Sequence, residues 1–180
     1  MQRTLLLYST VDGHTKKIIE RIKDRLEALD HWVQLAELER CQLDLTQFDS
    51  VVVGASIRYG KYRPALFEFI EENQVTLQER PCAFFSVNLV ARKPNKNTPE
   101  TNSYVGKFLQ QSSWRPALVG VFAGKLNYSI YGWRDRWVIR FIMWLTKGPT
   151  NPDTNKEFTD WGKVELFADQ LASLGSAQKS

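Results

Sequence analysis

The chain has 180 residues, 43% of them hydrophobic, and a formal net charge of +4 at pH 7. That length fits one domain, 1–180, with its own core, and the basic balance favours anionic partners: phosphates, carboxylates, anionic lipid or nucleic acid. No apolar run approaches the ~20 residues of a membrane-spanning helix, no signal peptide is expected ahead of the first strand, and two histidines and two isolated cysteines are too scattered for a metal or redox site.

Thr4–Tyr8 is an apolar run with strand character, and Ile18, Ile19, Ile22, Leu26 and Leu29 at helical spacing predict a helix over 15–29. Between them stands Ser9-Thr10-Val11-Asp12-Gly13-His14-Thr15. A strand, a hydroxyl-rich turn and a helix N-terminus in that order can hold a phosphate. The first helical N–H groups lack partners, and the macrodipole is positive there. Ser9, Thr10 and Thr15 can add hydroxyl donors, and Gly13 lets the backbone come close. The turn has neither the Gly-Lys-Ser/Thr ending of a triphosphate loop nor a G-x-G-x-x-G fingerprint. A single phosphate, as in flavin mononucleotide, suits it. The other reading is a plain helix start with Asp12 or Thr10 as N-cap.

Trp32–Leu38 predicts a second strand, and Cys41–Phe48 an irregular stretch. Val51–Ala55 is the β-branched run of a central parallel strand buried on both faces. Ser56-Ile57-Arg58-Tyr59-Gly60-Lys61-Tyr62 is a second unusual loop, after which Pro64 opens a helix with Leu66, Phe67, Phe69 and Ile70 facing the core. Pro81–Val87 predicts a fourth strand, followed by a long loop with Arg92, Lys93 and Lys96. Thr98-Pro99-Glu100 reads as N-cap, first-turn proline and acid of a helix reaching Gln111. Leu118–Ala123 is the fifth strand, an irregular stretch runs to Asn155, Lys156–Thr159 is a candidate for resuming the sheet, and Trp161–Leu174 is a final amphipathic helix.

Strands alternating with helices imply an α/β fold with a parallel sheet and helices on both faces. Ligands in such sheets sit beyond the C-terminal strand ends. Three loops meet there: Ser9–Thr15, Ser56–Gly60, and Ser86-Val87-Asn88-Leu89-Val90.

The insertion, 125–155, carries an unusual helix. On a helical wheel of Trp133–Lys147, Arg136, Arg140 and Lys147 form a stripe bordered by Trp133, Trp137 and Trp144. Phe141, Leu145, Val138, Ile142, Ile139 and Met143 fill most of the remaining circumference. Tryptophans beside arginines are what an interfacial helix uses on an anionic membrane surface. Packing on its own domain, or in a homo-oligomer interface, is the other reading.

The pattern Thr10-x-x-Gly13-x-Thr15 after an apolar strand resembles the phosphate turn of the flavodoxins. Ile19 departs from the small residue common in their first helix. Longer segments resemble a narrower family, the menaquinone-dependent protoporphyrinogen IX dehydrogenases of gammaproteobacterial type. These are Gly54–Gly60, Phe84–Pro94, Thr98–Tyr104, Trp114-Arg115-Pro116 and the aromatic and basic run Tyr128–Arg136. The resemblance implies a flavodoxin-like sheet of order 2-1-3-4-5 and FMN as cofactor. It also implies six-electron oxidation of protoporphyrinogen IX in heme synthesis, and a membrane quinone, menaquinone or ubiquinone, as acceptor. It implies that Ser9, Thr10, Asp12, Gly13, His14 and Thr15 surround the phosphate, with Ser56–Gly60 and Ser86–Val90 along either side of the flavin ring. No catalytic side chain stands out.

Arg58, Tyr59, Lys61, Tyr62, Arg63, Arg92 and Lys93 are candidates for binding the flat, dicarboxylate substrate, by guanidinium–carboxylate pairs and aromatic faces. Solvated loop charges are the alternative. Trp133, Arg136, Trp137, Arg140, Phe141 and Trp144 are candidates for the membrane contact of a peripheral protein on the cytoplasmic side of the inner membrane. A flavodoxin-type electron carrier, or another FMN quinone reductase, is the competing function. Nucleic acid is not expected as a partner, because most aromatics fall on strands, helix cores or the insertion rather than among exposed basic residues.

Overall fold

A computed structural model describes residues 1–145 and 147–177 of the chain. In chain order come β1 (Arg3–Ser9), α1 (His14–Glu27), β2 (Trp32–Glu37), β3 (Ser50–Ser56), α2 (Pro64–Glu72), α3 (Gln74–Glu79) and β4 (Ala83–Val87). There follow α4 (Ser103–Gln111), β5 (Leu118–Phe122), β6 (Lys125–Asn127), α5 (Trp133–Leu145), β7 (Asn155–Glu157) and α6 (Trp161–Ala177). The main sheet is parallel throughout in the order β2-β1-β3-β4-β5.

The sheet is covered on both faces because its central strands are apolar on both. From β1, Leu6 packs with Ile18, Ile19, Ile22 and Leu26 of α1 and with Val164, Phe167 and Leu171 of α6. The alternate residues Leu5 and Leu7 pack with Leu66, Phe69 and Ile70 of α2 and with Phe108 of α4. This period-two division is what a strand buried on both faces dictates.

The helix and strand ends differ from expectation at identifiable points. The Thr98-Pro99-Glu100 segment is a turn ahead of α4. The cap is Asn102, whose side chain accepts from the Tyr104 and Val105 N–H groups. Asn102 is itself buried and bonded to Asn88 and the Lys96 carbonyl, so tertiary contacts fix the helix start. The segment after β5 does not resume the main sheet. Its strand β7 pairs antiparallel with β6, as a separate two-stranded unit. The cysteines are both free. Cys82 is buried and its thiol is pushed up to about 11 by burial, whereas Cys41 is only half-buried.

Candidate flavin site

The first turn of the site starts where β1 ends. Gly13, not Asp12 or Thr10, occupies the N-cap position of α1, in the left-handed region at φ 81°, and no side chain caps the helix there. Thr10 instead closes the turn from below, its Oγ1 accepting the Gly13 N–H at 3.0 Å. The first N–H groups of α1 therefore have no side-chain competitor for an incoming anion.

The second loop leaves β3 as a tight hairpin. Arg58 and Lys61 exchange both backbone hydrogen bonds, at 2.9 and 3.1 Å. Between them Tyr59 and Gly60 both take positive φ, 49° and 75°, the geometry of a type I′ turn. Glycine makes this inexpensive at the second position. Tyr59 bears the strain at the first and is left half exposed. The third loop follows β4 and is stapled by Asn88, whose Oδ1 accepts the Ala91 N–H while its Nδ2 donates to Ser86 Oγ.

These loops enclose an open cleft at the C-terminal ends of β1, β3 and β4. It lies where the chain reverses its strand order, on either side of β1. Thr10, Asp12, His14, Thr15, Ser56, Ile57, Arg58, Tyr59, Gly60, Val87, Asn88, Leu89 and Val90 line it, as their loops predict. Ser9, Gly13 and Ser86 do not. The Ser9 hydroxyl is turned away to donate to Glu39. Ser86 is fully buried beneath the cleft and accepts from Tyr62 and Asn88.

The substrate candidates divide in the same way. Arg58, Tyr59 and Arg92 reach the cleft. Lys61, Tyr62, Arg63 and Lys93 do not line it. Tyr62 is a core residue, edge-on to Phe84 and Phe108, and burial pushes its phenol far up. Arg63 pairs with Glu39 at 2.8 Å and caps the Thr10 carbonyl. A one-residue step along a loop turns a side chain toward or away from the site, which loop composition alone does not encode.

Two hydroxyls on the cleft wall, Thr15 Oγ1 and Ser56 Oγ, are buried without a hydrogen-bond partner. An anion at the head of α1 with a polar ring edge beyond it would satisfy both, so the residues present fit a phosphate-bearing flavin. His14 opens α1. Thr159 Oγ1 gives its one proton to the Ala123 carbonyl at 2.7 Å, so His14 Nε2, 2.6 Å away, must donate to it. This fixes the tautomer and leaves Nδ1 as the acceptor. Burial holds the His14 pKa below its ordinary value.

The far wall of the cleft belongs to the insertion. Tyr131, Ile139, Ile142 and Met143 face the cleft, joined by Tyr104 from α4 and Lys125 from β6. None of these was singled out for the cleft from sequence. The period of α5 marks an apolar face but not which element it covers. Ile139 and Met143 pack with Leu126, Tyr128 and Tyr131 in a small core of their own. Arg58 ties this wall to the loops. Its guanidinium donates to Asp12 at 2.9 Å and to Asp135, in the first turn of α5, at 2.6 Å. It also lies over the Tyr131 ring, 5.0 Å from the centroid, and the Tyr59 hydroxyl donates to the same Asp135. The two carboxylates respond differently. Burial outweighs Arg58 and raises Asp12, while the Tyr59 and Arg58 hydrogen bonds lower the partly exposed Asp135.

The outer face of α5 is apolar and exposed: Trp133, Trp137, Phe141 and Trp144 are each more than half accessible, as is Leu145. Arg136 and Arg140 are half-buried, Arg140 lying over the exposed Trp137 ring at 5.5 Å, while Arg134 and, beyond the end of α5, Lys147 are exposed. Packing on the domain and presentation of an apolar face to the outside are both properties of this one helix. Among the described residues no helix is long and apolar enough to cross a membrane.

Residues 5–153 match the family model described as a flavodoxin domain. The chain is 46% identical over 175 residues to the protoporphyrinogen IX dehydrogenase (quinone) of Escherichia coli strain K12, covering 96% of each. It is 43% identical to the protein of that name from Leishmania major, covering 96% of this chain and 75% of the relative. Among solved structures it is similar to oxidised flavodoxin 1 from Bacillus cereus, with TM-score 0.54 and 11% identity over 95% of this chain and 97% of that one. That last likeness bears on the fold alone. The chain belongs to the flavodoxin-domain family and, within it, to the family of the proteins named protoporphyrinogen IX dehydrogenase (quinone).

Proposed function

We propose that this chain oxidises protoporphyrinogen IX to protoporphyrin IX, with FMN as its bound cofactor and a membrane quinone, menaquinone or ubiquinone, as acceptor. The observation that carries the reading is 46% identity, over 96% of the chain, with relatives of that name, coupled to a cleft whose far wall is supplied by the segment 125–155. When bound between the loops of the cleft, FMN would supply the redox chemistry, as a two-electron acceptor for the macrocycle and donor to the quinone.

The chain's own residues bind, orient and exclude water. The N–H groups opening α1, Thr10 and Thr15 hold the phosphate. The loops Ser56–Gly60 and Val87–Val90 flank the ring system. Tyr104, Tyr131, Ile142 and Met143 offer apolar area to a flat macrocycle. Arg92, Lys125 and Arg58 supply positive charge on the cleft wall for its two propionates. No side chain is assigned as general base.

The outer face of α5 lies on anionic lipid in this reading, which places the cleft mouth next to the quinone. Each large apolar side chain buried there contributes about 1.5–3 kcal/mol and each basic residue about 1 kcal/mol. Together these hold the protein reversibly at the cytoplasmic face of the inner membrane.

The test is anaerobic mixing of the FMN-loaded protein with protoporphyrinogen IX, with and without a menaquinone analogue. Flavin bleaching followed by quinone-dependent porphyrin fluorescence above the enzyme-free rate is the expected result. A flavin that stays oxidised in excess substrate would overturn the reading in favour of an electron carrier.

A further inference from the structure

Arg58 touches all three parts of the site's mouth: the phosphate turn through Asp12, the hairpin through Tyr59, and the insertion through Asp135 and Tyr131. Its side chain is only 18% exposed, yet both of its carboxylate partners are about one-third exposed, at 32% and 34%. Two carboxylates on one guanidinium leave a net negative cluster. Arg58 and Asp12 of that cluster line the cleft, and Asp135 adjoins it through Arg58; in the proposed function this cleft admits a substrate with two carboxylates.

The two partners are not equivalent. Asp12 belongs to the turn closed by the Thr10–Gly13 hydrogen bond. Asp135 ties the first turn of α5 to Arg58, while Ile139 and Met143, further along the helix, pack in a small apolar cluster that does not include it. A second carboxylate can therefore replace Asp135 on Arg58 with the apolar cluster intact.

We infer that Asp135 is an internal stand-in for a substrate propionate: it occupies the Nη2 side of Arg58 while the cleft is free, and an incoming substrate carboxylate takes its place and unties the first turn of α5. This rests on the proposed substrate class. Asp135 is then a specificity-determining residue with an unusual sign. It weakens binding of the dicarboxylate by competing for Arg58, while excluding from the guanidinium any anion too weak to displace it. The Tyr59 hydroxyl, donating to the same carboxylate, holds the stand-in in place.

The test reads binding as well as turnover, on the FMN-loaded protein. Protoporphyrin IX is titrated against the protein's intrinsic tryptophan fluorescence, beside protoporphyrin IX dimethyl ester, which has no free carboxylates. Asp135→Asn should tighten the dicarboxylate by up to about fivefold, the upper end of the range for an exposed ion pair removed, and leave the ester unchanged. Tyr59→Phe should move the dicarboxylate in the same direction by less. In an Arg58→Gln background the Asp135→Asn gain should vanish, which separates competition for Arg58 from a general loss of negative charge.

Weaker dicarboxylate binding by Asp135→Asn would overturn the inference and make Asp135 a strut. An equal gain with the ester, or a gain that persists without Arg58, would also overturn it. Failure of the proposed activity itself shows separately, as no turnover of protoporphyrinogen IX by the unaltered protein.

Discussion

Thr15 and Ser56 keep hydroxyl oxygens away from water without a partner, at a cost of about 1–3 kcal/mol each, and both face the same cleft. Thr15→Val keeps the shape and removes the polar atom. It should leave the stability of the FMN-free protein unchanged or slightly raised. It should also weaken FMN by about tenfold to a hundredfold, the worth of a hydrogen bond to a charged group. Fluorescence titration checks this, and riboflavin, which has no phosphate, should bind wild type and variant alike. His14 makes a second prediction at this scale. Its folded pKa lies below the ordinary 6.5, so as pH falls the unfolded chain takes up this proton first. The stability linked to neutral His14 is complete above about 6.5 and declines below it toward the folded pKa. Urea midpoints of the FMN-free protein, measured from about pH 8 to about pH 5, should show that slope in the wild type and lack it in His14→Asn.

At the scale of elements, α5 has two faces with separate tasks. Met143 is fully buried beneath it. Met143→Ala should loosen the insertion by about 2–5 kcal/mol, seen as faster amide exchange in α5 with β1 and β3 unaffected. Trp137 and Phe141 are exposed on the other face. Trp137→Glu combined with Phe141→Glu should abolish co-sedimentation with anionic liposomes and leave the thermal midpoint within about 4 °C, since surface changes of this kind cost little. Liposome binding that survives the double change would remove the membrane contact from α5. On the sheet, Gly54 lies directly under the Phe85 ring. A Cβ there would stand 2.1 Å from it. Gly54→Ala should destabilise the domain by about 1–3 kcal/mol through overpacking, read from the urea midpoint.

For the whole molecule, the site lies between a rigid parallel sheet and an insertion held by a small satellite core. Binding at such a junction stabilises both parts at once. FMN at a hundredfold excess over its Kd should add about 2.7 kcal/mol to the domain, visible as a rise in thermal midpoint that Thr15→Val reduces. Ion pairs between α1 and α6, Arg21 with Glu165 and Arg25 with Asp169, join the first and last helices on one face of the sheet. These pairs are exposed and contribute little to stability individually. The hydrophobic layer beneath them holds the two helices.

Periodicity and turn chemistry determined the strands of the main sheet, the helices that cover it and the loops that carry the site, because these signals are local. Thr15, Ser56 and Asn88 could be found this way, since each sits at the end of a recognisable strand or at the start of a helix. Boundaries set by distant partners could not. The start of α4 depends on Asn102 meeting Asn88, and β7 pairs with β6 because the insertion folds back on itself. The direction of each loop side chain was equally hidden, so Tyr62 and Ser86 went to the core while Arg58 stayed in the cleft. Above all, only the tertiary structure decided that α5 forms the far wall. An ion pair between residues 58 and 135 leaves no mark in either local sequence, because it exists only once a sheet, a hairpin and a helix have been brought to the same edge.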